Sequence, residues 1–115
     1  MSSKKIAIIG LGYVGLPLAC AFAKQYDVIG FDINKTRINE LSNNIDKTRE
    51  VTSEYLQNTS RLTFTSDTNK LSAANVFIIT VPTPIDDNNL PDLSPLVKAS
   101  QMLSKIHKKN DIVIY

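Results

Sequence analysis

The chain has 115 residues, 43% hydrophobic and 21% charged, with 13 Lys and Arg against 11 Asp and Glu for a net charge of +2. That length holds at most one domain with a real core, and the balance is too weakly basic to argue for nucleic acid or an anionic membrane surface. A single cysteine, Cys20, excludes an internal disulfide, and no stretch reads as a signal peptide or nears the roughly 18 apolar residues of a membrane span, so a cytoplasmic protein is expected. The pair Lys4 and Lys5 and the group Lys105, Lys108 and Lys109 read as solvated edges.

In chain order, residues 5–9 form a short apolar, β-branched run that reads as a strand. The run breaks at Gly10-Leu11-Gly12-Tyr13-Val14-Gly15, a G-x-G-x-x-G turn, and resumes as an Ala- and Leu-rich helix over residues 13–25. Pro17 falls near the first helical turn, where a missing N–H costs least. Strand, glycine turn and helix in this order are the setting of a dinucleotide-binding turn. Residues 28–32 read as a second strand ending on Asp32, and residues 34–43 as a second helix with Arg37, Ile38 and Leu41 at helical spacing.

A polar stretch follows over residues 44–60, within which residues 53–58 read as a short helix. Residues 62–65 alternate as a third strand, and Ser66-Asp67 caps a short helical turn. Residues 76–81 are the most apolar β-rich run, a central strand stopped by Pro82. Residues 83–91, with Asp86-Asp87-Asn88-Asn89, are a loop by composition. Ser94 then reads as an N-cap and Pro95 as the first residue of a helix to about Lys108, before a fifth strand over residues 111–115.

The alternation of strands and helices predicts an α/β fold: a Rossmann-type doubly wound parallel sheet, order 3-2-1-4-5, truncated after the fifth strand. Ligands of such sheets bind beyond the carboxyl ends of the strands where the order reverses. That rule gathers Gly10 to Gly15, Asp32 and Val81 to Thr83 around one crevice.

Each glycine of the turn has its own task. Gly10 permits the sharp exit from the strand, Gly12 lets a diphosphate approach the backbone, and Gly15 lets the helix lie close to the sheet. The N–H groups of Tyr13 and Val14 then point at the phosphates, helped by the positive helix end. The alternative is a glycine turn with no ligand. Asp32 argues against it, standing 20 residues after Gly12, where a carboxylate accepts from both hydroxyls of an adenosine ribose. Its charge repels a 2′-phosphate and so favours NAD over NADP, while Arg37 complicates this because an arginine also receives such a phosphate. Asp32 as a plain helix N-cap is the rival reading.

Val81-Pro82-Thr83-Pro84 leaves the sheet at the crevice, with the Thr83 hydroxyl to offer; a plain strand-ending loop is the alternative. Cys20 sits among apolar helix residues and reads as core, and His107 as surface. No residue makes a convincing catalytic acid, base or nucleophile, and no cluster has metal-ligand spacing.

These residues together resemble the N-terminal domain of the UDP-glucose/GDP-mannose dehydrogenase family. The resemblance runs from Ile8-Ile9-Gly10-Leu11-Gly12-Tyr13-Val14-Gly15-Leu16-Pro17-Leu18-Ala19 through Gly30-Phe31-Asp32-Ile33-Asn34 and Thr80-Val81-Pro82-Thr83-Pro84. It continues in Pro91-Asp92-Leu93-Ser94-Pro95-Leu96 and Asp111-Ile112-Val113-Ile114-Tyr115. Ile45-Asp46-Lys47-Thr48-Arg49-Glu50-Val51 looks most like members acting on UDP-N-acetylhexosamines in surface polysaccharide pathways.

The resemblance implies that Asp32 and Arg37 hold the adenosine ribose, Tyr13 and Val14 the diphosphate, and that Thr83 lies near the cofactor. It implies oxidation of a sugar C6 alcohol to the carboxylate with two NAD and a cysteine thiol adduct. The family's catalytic cysteine and its lysine, asparagine and aspartate helpers lie beyond residue 115, and Cys20 matches none of them. Residues 1–115 are therefore expected to be an NAD-binding fragment, inactive alone and homo-oligomeric when full length. A 3-hydroxyacyl-CoA type cofactor domain and a non-catalytic dinucleotide-binding module are the alternatives.

Overall fold

The computed structural model describes residues 5–47, 51–82, 84, 85, 87–106, 108 and 111–115. The expectations for Lys4, Thr83, Asp86, His107 and Lys109 lie outside the described residues. Five strands form one sheet: β1 (Lys5–Ile9), β2 (Asp27–Phe31), β3 (Leu62–Thr65), β4 (Val76–Ile79) and β5 (Ile112–Ile114). The order is β3-β2-β1-β4-β5 with every pairing parallel, the doubly wound topology expected. Register is set by the period of two. Ile6 and Ile8 of β1 face one core, with Val28 and Leu62; Ala7 and Ile9 face the other, with Ile29, Phe31, Phe77 and Ile79.

Helices α1 (Gly15–Phe22), α2 (Lys35–Ser42) and α3 (Ser53–Gln57) supply the first core with Leu16, Ala19, Cys20, Leu41 and Leu56. A 3-10 helix (Thr68–Ala73) and α4 (Ser94–Ser104) cover the second with Leu71, Ala99 and Leu103. Layers on both faces bury the central strands, which explains why β1 and β4 read as nearly unbroken apolar runs.

The structure moves several boundaries. The first helix begins at Gly15, not at residue 13, because Tyr13 and Val14 belong to the turn that aims it. It ends at Phe22, and Tyr26 bonds back to the Phe22 carbonyl at 2.9 Å as the chain tightens before β2. Asp32 lies just past β2, although its N–H still reaches Thr65 O at 3.2 Å. Asp32 is not the cap of α2: Asn34 is, accepting from the Arg37 N–H.

The fourth strand stops at Ile79, two residues short, where Thr80 turns its hydroxyl onto the glycine turn. Ser94 is the first helical residue rather than the cap, and the Asp92 carboxylate takes both its N–H and its hydroxyl. Those bonds, the hydroxyl's first, hold the Asp92 carboxyl below the usual carboxylate range. The same helix ends at Ser104 in tight i−3 bonds rather than running to Lys108. Lys108 is exposed as expected, but it is also tethered: its Nζ donates to Ser72 O at 2.7 Å and Ala74 O at 3.2 Å, pinning the chain before β5 to the end of the 3-10 helix.

Candidate functional site

A crevice of about 880 Å³ opens beyond the carboxyl ends of β1, β2 and β4. Gly10, Gly12, Tyr13, Val14, Asp32, Arg37, Val81 and Pro82 all line it, so eight residues singled out in the sequence converge on one hollow. Gly15 is not on the wall. It is buried beneath, where a side-chain methyl would overlap the Gly10 carbonyl oxygen and lie 2.5 Å from Thr80 Oγ1.

Four residues hold the glycine turn. From β2, the Phe31 carbonyl accepts the Gly10 N–H at 2.8 Å, and Gly10 has φ +98°, the left-handed backbone that glycine tolerates. From beyond β2, Asp32 Oδ2 accepts the Leu11 N–H at 3.0 Å, while Oδ1 accepts from Asn34 N at 3.0 Å. From α2, Arg37 Nε and Nη2 donate to the Leu11 carbonyl at 2.8 and 2.6 Å. From beyond β4, Thr80 Oγ1 reaches Gly10 O at 2.7 Å.

The turn so held presents donors that have no acceptor among the described residues. The first amide at the start of α1 with a backbone partner is that of Leu16, to Gly12 O at 3.2 Å. The N–H groups of Tyr13 and Val14 have no acceptor among the described residues, and both side chains are largely exposed. Nothing stands within 4 Å of where a Cβ on Gly12 would be, so the backbone there is open to close approach. Unpaired amides at the positive end of a helix form an anion cradle. The carboxylate of Asp32, with lone pairs left after two bonds, is an acceptor for hydroxyls. Phosphate at one end and vicinal hydroxyls at the other suit a nucleoside diphosphate moiety, so the residues present fit a dinucleotide.

The opposite wall was not anticipated. Pro95, Lys98, Ala99 and Met102 of α4 line the crevice, as do Ile33, Asn34 and Thr80. The α4 residues recur at i, i+3, i+4 and i+7, a stripe that was present in the sequence but is equally the pattern of a helix packing on a sheet. Thr80 carried a weaker signal, a hydroxyl closing an apolar strand.

Cys20 is buried in α1, and burial, with the nearby Asp46 charge adding, pushes its thiol up to about 11. It stays protonated at neutral pH and is a core residue, as read. Among the described residues no cluster could hold a metal ion, and no helix is long and apolar enough to cross a membrane. A smaller hollow of about 360 Å³ lies between α1 and α3 near the amino ends of β2 and β3. Its cations are already engaged, Arg61 with Asp27 at 3.0 Å and Lys24 over the Tyr55 ring.

The chain is 56% identical over 115 residues to UDP-N-acetyl-D-glucosamine 6-dehydrogenase of Pseudomonas aeruginosa, covering all of this chain and 27% of that protein. It is 53% identical to the enzyme of the same name from Salmonella typhi, over 96% of this chain and 26% of that one. The solved UDP-D-ManNAc dehydrogenase of Pyrococcus horikoshii superposes with a TM-score of 0.88 at 34% identity, over 95% of this chain and 27% of that chain. The chain thus spans about a quarter of the length of the relatives it matches. With residues 4–115 matching the model of the UDP-glucose/GDP-mannose dehydrogenase family, NAD binding domain, the chain belongs to that family as its NAD-binding part, and not to the 3-hydroxyacyl-CoA type.

Proposed function

We propose that these residues form the cofactor grip of a UDP-N-acetylhexosamine 6-dehydrogenase, with UDP-N-acetylglucosamine or UDP-N-acetylgalactosamine as its sugar nucleotide. Asp32 accepts from the adenosine ribose hydroxyls, and the amides of Tyr13 and Val14 hold the diphosphate over Gly12. Gly10 and Gly15 shape the turn, and Val81 and Pro82, with Thr83 next in sequence, border the nicotinamide side. Arg37 supports the ribose end from behind the turn. NAD held here would supply the hydride acceptor, one molecule for each of the two successive oxidations of the sugar C6, for surface polysaccharide synthesis; this chain binds and orients it. The working enzyme is a cytoplasmic homo-oligomer.

The observation that carries this reading is the pairing of unpartnered amides at the start of α1 with the Asp32 carboxylate across one turn. Hydrogen bonds to a charged group are worth about 1.5–3 kcal/mol, so calorimetry of NAD binding to Asp32→Ala should show a loss of that size. Unchanged affinity removes Asp32 from the grip. Adding UDP-N-acetylglucosamine to the NAD-loaded 115-residue chain should give no sustained NADH; steady production would mean that the chemistry resides here.

A further inference from the structure

Behind the glycine turn, Arg37 of the cofactor grip is paired with an acid that lies outside the grip. Arg37 Nη1 meets Asp46 Oδ1 at 2.8 Å, with side chains 10% and 0% exposed. Asp46 Oδ2 also accepts the Val51 N–H at 3.0 Å, so the carboxylate is fixed on both oxygens. Arg37 lines the crevice next to Asp32. An arginine in that place is the natural receptor of a ribose 2′-phosphate. Here three donor contacts of the guanidinium go to Leu11 O and Asp46, leaving two of its five N–H groups.

Charge sharpens the point. Asp32, Arg37 and Asp46 together carry one net negative charge, and without the Asp46 carboxylate they carry none. A buried cation deprived of its partner is costly and draws whatever anion can reach it.

We propose that Asp46 is a positioning residue that determines cofactor specificity: by fixing Arg37 on the Leu11 carbonyl and neutralising its charge, it leaves the Asp32 carboxylate to repel a 2′-phosphate. This rests on the reading that the adenosine ribose of NAD lies at Asp32. Asp46 touches no part of the dinucleotide. It acts through Arg37.

The test is calorimetric titration of the chain and of Asp46→Asn with NAD and, separately, with NADP. The wild type should prefer NAD, and Asp46→Asn should narrow that preference about tenfold, the scale of one charge a few ångströms from a phosphate in largely aqueous surroundings. Asp46→Glu, which restores the charge, should restore the preference. A merely structural role would weaken both dinucleotides alike, and an unchanged ratio in Asp46→Asn overturns the proposal.

If thermal melting shows Asp46→Asn unfolded, Arg37→Leu/Asp46→Leu takes its place and is read only as the ratio of the two affinities, because both affinities fall when Leu11 O and the Val51 N–H lose their partners. With both charges gone, the preference should stay within about twofold of wild type; a larger change means that Arg37 acts on the phosphate despite Asp46, and the proposal fails. A wild-type chain that binds neither dinucleotide, or binds NADP better, overturns the cofactor reading itself.

Discussion

Gly15 is the residue on which the helix angle depends. A methyl there would strike the Gly10 carbonyl and the Thr80 hydroxyl, both fixed by the sheet. Overpacking of a rigid site costs about 1–3 kcal/mol, and Gly15→Ala should lose at least that much in chemical denaturation, with NAD affinity falling alongside. The task of Gly15 was legible because glycine spacing states a steric requirement directly. Arg37 was less legible. The family resemblance marked it as a ribose contact, but the direction of its donors depends on Asp46, nine residues away, and on a carbonyl 26 residues back. Sequence spacing says where such a side chain starts, not what holds its far end.

At the scale of elements, β4 matters beyond its own ladder. Its last ladder bond runs from Thr80 N to Ile9 O at 2.8 Å, and the Thr80 hydroxyl then reaches the Gly10 carbonyl. Thr80→Val keeps the shape but leaves that part-buried carbonyl without its donor, at about 1–3 kcal/mol. Denaturation should register this loss, and NAD binding should weaken with it. Strand identity and order were readable from apolar runs and glycine punctuation. The ends of β1 and β3 were readable too, but those of α4 and β4 were not, because side chains just outside the periodic run set them: Asp92 at the start of α4 and Thr80 past the end of β4. The α4 wall of the crevice escaped for a related reason, since one helical stripe serves both core and cavity.

At the scale of the whole molecule, two apolar layers enclose the sheet, and Cys20 sits inside one of them. Its thiol is pushed from 9.0 to about 11, chiefly by burial. A group whose folded pKa is raised stabilises the fold fully below its unfolded value and ceases to do so as pH passes the folded one. Stability should therefore fall between pH 9 and about 11, and more steeply in wild type than in Cys20→Ala, as followed by denaturation midpoints. The three-sided tethering of the Leu11 peptide and its neighbours has a consequence for ligand capture. Bonds from residues 21, 26 and 70 positions downstream set the loop's shape. The entropy of ordering that loop is thus lost when the sheet assembles rather than when a dinucleotide arrives. The amides are already aimed, and binding becomes a docking onto a finished mould.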